Sequence, residues 1–172
     1  CNNGGLVELE EYIYEAVISL DHCSDWVINV CASGNRNNAI TTIISPGNQD
    51  LCVEAEINNL NVCNNSPSFS EYPAPYICIG QTYCYNNGAV DIEGDSLMYS
   101  LTNPLNGWGG VTYVAGYSPS NPIAGTTTFD EFTGDLCMNA TQNQVSVIAM
   151  KITEYRNGIK IGSVTRDIQI IV

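Results

Sequence analysis

The stretch Val145-Ser-Val-Ile-Ala-Met-Lys-Ile-Thr-Glu-Tyr155 is followed by Arg156, by Asn157-Gly158, and by a second apolar-rich run from Ile159 to Val172. Both runs are rich in β-branched residues, which fit a pleated surface better than a helix. Asn-Gly between two such runs marks a two-residue type I′ turn, because both central residues there need positive φ. The spacing predicts a long β-hairpin at the C-terminal end of the sequence.

Upstream of that hairpin the signal stays β. Glu11 to Leu20 alternates, with Tyr12, Tyr14, Ala16, Ile18 and Leu20 on one face and Glu11, Glu15 and Ser19 on the other. That period of two predicts a half-buried strand. Val53-Glu-Ala-Glu-Ile-Asn58 repeats the pattern, and Trp26-Val-Ile-Asn-Val30 reads as a short buried strand with Trp26 in the core. The β-branched residues between Ile40 and Ile44 favour a further strand. Turn-rich stretches separate these runs: Asn64-Asn-Ser-Pro-Ser68, Pro73-Ala-Pro75, Asn103-Pro-Leu-Asn-Gly-Trp-Gly-Gly110 and Ser118-Pro-Ser-Asn-Pro122. Short strands joined by such turns predict an all-β chain of Ig-like β-sandwich type. A boundary is placed near 63–66, giving an N-terminal β-module over 1–63 and an Ig-like or cadherin-like sandwich over 64–172. One merged sandwich is the alternative.

Composition narrows the function. Hydrophobic residues make up 44 % of the 172, enough for a packed core. Against 18 acidic residues stand 5 Lys and Arg, a formal charge of −13. Nucleic acid needs clustered cations, so it is excluded as a partner. Anionic membrane surfaces are excluded for the same reason, and no run of about 18 apolar residues crosses a bilayer. Cations, carbohydrates and other proteins remain.

Eight cysteines at irregular gaps, with one histidine, point to disulfides in an oxidising compartment rather than to zinc. Roughly a hundred connectivities are open. The close pair Cys78 and Cys84 is the expected bridge, since six residues of separation suit adjacent turns or strands. A chain that opens on Cys1 without a leader is expected to be a processed or truncated product, an acylated cysteine being the alternative. One that closes in a strand is expected to be a piece of something longer or a unit that packs against neighbours.

Asp91, Glu93 and Asp95 stand at alternate positions around Gly94, ahead of the apolar run Leu97 to Leu101. Calcium takes six to eight oxygens in a flexible shell, and this spacing could wrap part of one. Asp130, Glu131 or Asp135 are candidates for the missing ligands. The competing reading is a solvated turn capped by Asp91. Trp108, in its Gly-rich loop, is the candidate for stacking on a sugar. Asn64-Asn-Ser66 and Asn139-Ala-Thr141 are formal glycosylation sequons. No Gly-x-Ser-x-Gly elbow, His-Glu-x-x-His or phosphate loop occurs. His22 adjoins Cys23, but neighbours in a strand point to opposite faces and do not converge. The chain is read as a non-enzyme.

Several fragments follow one another in order: Cys23-Ser-Asp-Trp26, Asn35-Arg-Asn-Asn-Ala-Ile40, Glu56-Ile-Asn-Asn59, Asn65-Ser-Pro-Ser-Phe69, Pro75-Tyr-Ile-Cys78, then Ala89-Val-Asp-Ile-Glu-Gly-Asp-Ser-Leu-Met-Tyr-Ser-Leu101. Gly116-Tyr-Ser118, Thr133-Gly-Asp-Leu136, Glu154-Tyr-Arg-Asn-Gly158 and Arg166-Asp-Ile-Gln169 complete the set. Over roughly residues 10 to 172 this order resembles a recurrent module of large secreted surface proteins of the Bacteroidota, of the gliding-motility-associated and type IX-secreted kind. The resemblance implies tandem extracellular β-sandwiches in adhesins or surface filaments, without a catalytic role. In the family the acidic stretch reads Asp-x-Asp-Gly-Asp; here Glu93 replaces the middle Asp. The acidic stretch is also similar to the Asp-x-Asp/Glu segment of calcium-holding cadherin-type repeats. Asp95-Ser96-Leu97 matches the O-glycan acceptor pattern that the resemblance brings with it. The expected function is a structural subunit or repeat of an extracellular bacterial surface fibre or adhesin, partnered by copies of itself or tandem repeats, with glycans as further candidates. Glu11 to Leu20 and Ile168 to Val172 are nominated for strand exchange. A carbohydrate- or calcium-dependent binding module is the alternative.

Overall fold

A computed structural model describes residues 10–73 and 76–172, apart from the side chain of Ser33. Cys1 lies outside the described residues. In chain order the strands are β1 (Trp26–Asn35), β2 (Asp50–Ile57), β3 (Ser68–Phe69), β4 (Thr82–Tyr85), β5 (Ala89–Val90) and β6 (Ser96–Thr102). They continue with β7 (Leu105–Asn106), β8 (Gly109–Gly110), β9 (Gly125–Phe129), β10 (Leu136–Ala140), β11 (Val145–Arg156) and β12 (Ile159–Ile171). One 3-10 turn, Pro46–Asn48, precedes β2. The fold is all-β and of sandwich type, as the sequence predicts.

The predicted hairpin is the spine of the molecule. β11 and β12 pair antiparallel from Val145↔Ile171 to Arg156↔Ile159. Asn157 and Gly158 form the turn with φ of 53° and 77°, the positive values a type I′ turn demands. The register slips once, where Glu154 faces Gly162 and Tyr155 faces Lys160. This leaves one residue of β12 unpaired, a bulge. Among the described residues the large sheet has seven strands, ordered β6-β11-β12-β2-β7-β8, with β1 pairing β2. Residues on either side of the 63/64 boundary therefore share one sheet, since β2 pairs β12 at Ile57↔Gly162 and Ala55↔Val164.

A three-stranded sheet, β4-β10-β9, covers one face of the large one. The main core fills the gap: Ile148, Met150 and Ile152 of β11 and Ile168 and Ile170 of β12 meet Leu136, Met138 and Ala140 of β10. Each buried aliphatic side chain there contributes about 1.5–3 kcal/mol. The opposite face of β11 is covered too. Val147 packs with Ile40, Ile43 and Val111 in a second, smaller cluster. Burial on both faces explains why β11 reads as a nearly continuous apolar run rather than a clean alternation. The Ile40–Ile44 stretch is not the expected strand; Ile43 makes only an isolated bridge to Tyr113. Its role is to cover the sheet.

Two further expectations are corrected. Glu11 to Leu20 belongs to no strand, and Tyr12, Ile13, Tyr14, Val17 and Ile18 are exposed. Alternation makes a segment fit for a sheet but does not supply a neighbour to bond to. Trp26 is half-exposed instead of lying in the core, its indole N–H donating to the Asp21 carbonyl at 2.9 Å.

The expected Cys78–Cys84 bridge is also overturned. Cys84 is bonded to Cys137, and Cys78 is itself disulfide-bonded. A turn at Gly80, with φ of 72°, sends β4 away from Cys78 and along β10. There residue 84 directly opposes residue 137. The other described bridge, Cys31–Cys52, likewise joins two directly opposed residues, on β1 and β2.

Glu56 on β2 ion-pairs with both Lys151 of β11 and Lys160 of β12. Burial alone would raise its carboxyl, but the two ammonium groups outweigh this and hold it below the ordinary carboxylate value. A lowered carboxylate contributes stability that is present above its unfolded pKa and lost as pH falls through the folded one. Glu56→Gln is therefore expected to cost about 0.5–1 kcal/mol at neutral pH. The difference should vanish in acid, as read by urea denaturation at both pH values; an equal loss in acid would refute the ion-pair account.

Candidate functional site

Two features stand out beyond packing. One is an acidic corner where β6 and β11 meet the 63–65 segment. Gly94 turns with φ of 79°, and the Asp91 carboxylate accepts the Asp95 backbone N–H at 2.7 Å. Asp91, Glu93 and Asp95 each present an oxygen within 4.8 Å of the others, so the structure brings the three predicted acids together. Arg156 grips Asp95 with both prongs, Nε to Oδ1 at 2.8 Å and Nη2 to Oδ2 at 2.6 Å. That fork holds the Asp95 carboxyl below its usual range. Arg156 also donates to the Cys63 carbonyl and to Asn64 Oδ1, at 3.1 Å each.

A fourth carboxylate completes the corner. Glu154 of β11 is fully buried. Its Oε2 accepts from Asn64 Nδ2 at 3.0 Å, while its Oε1 has no partner. The neighbouring Asp91 Oδ2 is buried and unpartnered as well. Burial pushes the Glu154 carboxyl up to about 7; the Asn64 hydrogen bond opposes the rise, and the charge and hydrogen-bonding proximity of Asp91 add to it. Space for Glu154 comes from Gly162 across the ladder, where a Cβ would collide with the Glu154 carboxylate. Glu93 is exposed and accepts a hydrogen bond from Asn65.

Sequence reasoning missed Glu154, although a signal was there. Ile148, Met150 and Ile152 all point to the core, and period two carries that phase on to residue 154. A carboxylate in a core-facing position is the anomaly to look for. Asp130, proposed as a supplementary ligand, belongs to a turn of its own, accepting the Phe132 and Thr133 N–H groups at 2.8 and 2.9 Å. Asp135 accepts from Asn86 at 2.7 Å. A second acidic grouping, Asp50 with Cys31 and Cys52, has both sulfurs committed to their disulfide.

The other feature is the β1–β2 hairpin. Trp26↔Ile57, Ile28↔Ala55 and Val30↔Val53 are directly opposed pairs on one face. Val30, Leu51 and Val53 are exposed there. Tyr14 joins Val30, Cys31, Ala32, Leu51 and Val53 around a cleft of about 400 Å³. Among the described residues β1 pairs with β2 alone, so its outer backbone edge has no described partner.

Comparison with known proteins gives no lead. No family model, curated protein or solved structure matches this chain. Function must therefore be argued from the residues themselves.

The remaining candidates fall in separate places. Trp108 is 75 % exposed at the tip between β7 and β8. Ser96 is exposed at the start of β6. Asn139 lies in β10 with its amide on Thr82 at 3.2 Å. The Asn64 amide nitrogen, the atom a glycan would modify, is committed to buried Glu154. His22 Nδ1 meets the Asn59 carbonyl oxygen at 3.0 Å, whereas the Cys23 thiol donates to Asp25 at 2.9 Å. Imidazole and thiol thus have different partners. Among the described residues no helix is long and apolar enough to cross a membrane.

Proposed function

We propose that this chain is a structural, adhesive unit of an extracellular bacterial surface fibre, secreted to the cell surface and joined copy to copy through strand edges. The observation that carries the reading is the mismatch around β1. Among the described residues a period-two apolar segment, residues 11–20, has no strand partner, and β1 has no partner on its outer edge and an exposed apolar face beside it. Monomers hide such edges, because free N–H and C=O groups template pairing with another chain. Exposed apolar patches of this kind mark contact surfaces. The occupant of the edge is residues 11–20 of a second copy, added as a strand with its tyrosine face on the hairpin. Disulfides at Cys31–Cys52 and Cys84–Cys137 suit an oxidising exterior. The ordered resemblance to Bacteroidota surface modules points the same way.

One of the two nominated donors is withdrawn. Ile168 to Val172 is bonded within its own chain, with Ile168 and Ile170 in the core. The test compares the full chain with a variant lacking residues 11–20 and with Val30→Lys, by electron microscopy and light scattering over a concentration series. Fibres or concentration-dependent oligomers are expected for the parent and should be lost in both variants. A monodisperse monomer at every concentration would sink the reading.

A second reading, a carbohydrate-binding module, is favoured by the exposed Trp108 ring, a platform on which sugars stack. A glycan array that loses its signal in Trp108→Ala would establish it.

A further inference from the structure

We infer that Cys23 and Cys63 are a disulfide-forming pair, a further bridge that closes the open end of the β1–β2 hairpin. The other described cysteines are all bonded: Cys31 to Cys52, Cys84 to Cys137, and Cys78 as well. Among the described residues Cys23 and Cys63 alone carry free thiols. Two spare thiols in a chain whose other described sulfurs are bonded point to each other, provided the fold brings them within reach.

It does so through Asn59. Carried three residues outward from Trp26↔Ile57, the β1–β2 register sets Cys23 opposite Leu60. Asn59 fastens that end: its N–H donates to the Cys23 carbonyl at 2.9 Å, and its side-chain oxygen accepts the Cys23 N–H at 2.7 Å. Its Nδ2 donates to the Asp21 carbonyl at 3.1 Å, and its own carbonyl accepts from His22 Nδ1 at 3.0 Å. Cys63 follows four residues later, past a bend at Leu60 and Asn61. Four residues span at most about 13–14 Å when extended, and the bend shortens that. His22 and Cys63 line one cleft of about 580 Å³. A disulfide needs Cα atoms about 4.4–6.8 Å apart. The loop between is free to adjust, since Asn61 and Val62 make no hydrogen bond among the described residues. Both sulfurs are accessible, Cys63 being exposed and Cys23 half-buried.

Closure needs a two-electron oxidant, a small disulfide such as oxidised glutathione. The Cys63 thiolate attacks one glutathione sulfur, the glutathione S–S bond breaks, and one glutathione thiolate leaves. The Cys23 thiolate then attacks the Cys63 sulfur of the mixed disulfide and expels the second. Two protein thiols are oxidised, one glutathione disulfide is reduced, and the two thiol protons end on the released glutathiones. The Cys23 thiol gives up its contact with Asp25. What the bridge joins gives it a role. Arg156 holds the Cys63 carbonyl, and Asn64 is bonded to Glu154 and Arg156 of β11. Cys23 stands between the exposed segment 11–20 and β1. The bridge therefore ties the base of that segment to the acidic corner. It does not depend on the fibre reading, although a fixed base sets the direction in which a donor strand leaves.

The experiment is oxidation of the folded full chain with oxidised glutathione, quenching with iodoacetamide, and peptide mapping without reductant. One cross-linked peptide pair joining Cys23 to Cys63 is expected, with neither residue alkylated. The oxidised parent should melt about 10 °C above Cys63→Ser, and its amides over 21–25 should exchange more slowly. Cys23→Ser should leave Cys63 open to alkylation, and Cys63→Ser should do the same for Cys23. Mapping the parent requires neither variant to fold. Full alkylation of both cysteines, a lasting glutathione adduct on either, or a dimer joined Cys63 to Cys63 would each overturn the pairing.

Discussion

Arg36→Met is expected to lower the free energy of unfolding by about 3–5 kcal/mol, while Arg36→Met combined with Asp167→Leu lowers it by far less. The side chains of Arg36 and Asp167 are 2 % and 5 % exposed. They meet as a fork, Nη1 to Oδ1 at 3.0 Å and Nη2 to Oδ2 at 2.7 Å. Nη2 also donates to the Leu105 carbonyl at 2.8 Å. This one guanidinium thus joins the loop after β1 to β12 and to the start of β7. Burial pushes the Asp167 carboxyl up, and Arg36 pulls it back.

Removing one partner strands the other charge in a buried site. Removing both loses little beyond the bond to Leu105, about 1 kcal/mol. Buried ion pairs are costly to break and often cheap to replace whole. Urea denaturation of the parent, the single variant and the double variant measures the coupling directly. If the double variant is as unstable as the single, the loss comes from packing and the account fails.

The second large effect concerns the disulfides. Each closes a loop in the unfolded chain, with sequence separations of 53 for Cys84–Cys137 and 21 for Cys31–Cys52. Loop-closure entropy gives about 4 kcal/mol for the longer and about 3 kcal/mol for the shorter. Cys84→Ala with Cys137→Ala should therefore cost more than Cys31→Ala with Cys52→Ala. The local consequences differ as well. β4 pairs only with β10 among the described strands, and Tyr83 and Tyr85 pack on the main core. Loss of its bridge should speed amide exchange in residues 82–85. Loss of the other should free β1, whose described partner is β2 alone. Peptide mapping without reductant should return both pairs. A map that joins Cys78 to Cys84, or unfolding unchanged by reduction, would refute the assignment.

Much of the architecture was legible. The Asn157-Gly158 turn and its flanking runs identify the long hairpin because local chemistry alone selects a type I′ turn. Val53 to Ile57 alternates and lies in β2 for the same local reason. Glu11 to Leu20 alternates just as plainly, yet no described strand bonds to it. Periodicity is a property of a segment; pairing is a property of two. Cys78 and Cys84 failed in the same way, since closeness along the chain counts for nothing once a turn at Gly80 carries β4 to β10.

The acidic corner divides along that line. Asp91, Glu93 and Asp95 could be grouped from their spacing, because a tight turn keeps neighbours in sequence near in space. Glu154 is 59 residues or more from any of them along the chain, and only the β6–β11 pairing, Leu97 opposite Glu154, brings it there. Arg36 and Asp167 are a further instance, 131 residues apart.

By itself, then, the sequence determined the all-β class, the closing hairpin and the acidic turn. Those follow from backbone preference and side-chain period, which act over a few residues. Which cysteines bond, which apolar strand lacks a second described neighbour and which buried carboxylate faces the turn were decided by the tertiary structure alone. Each depends on strand register, and register is set by how two distant runs bury their faces against each other.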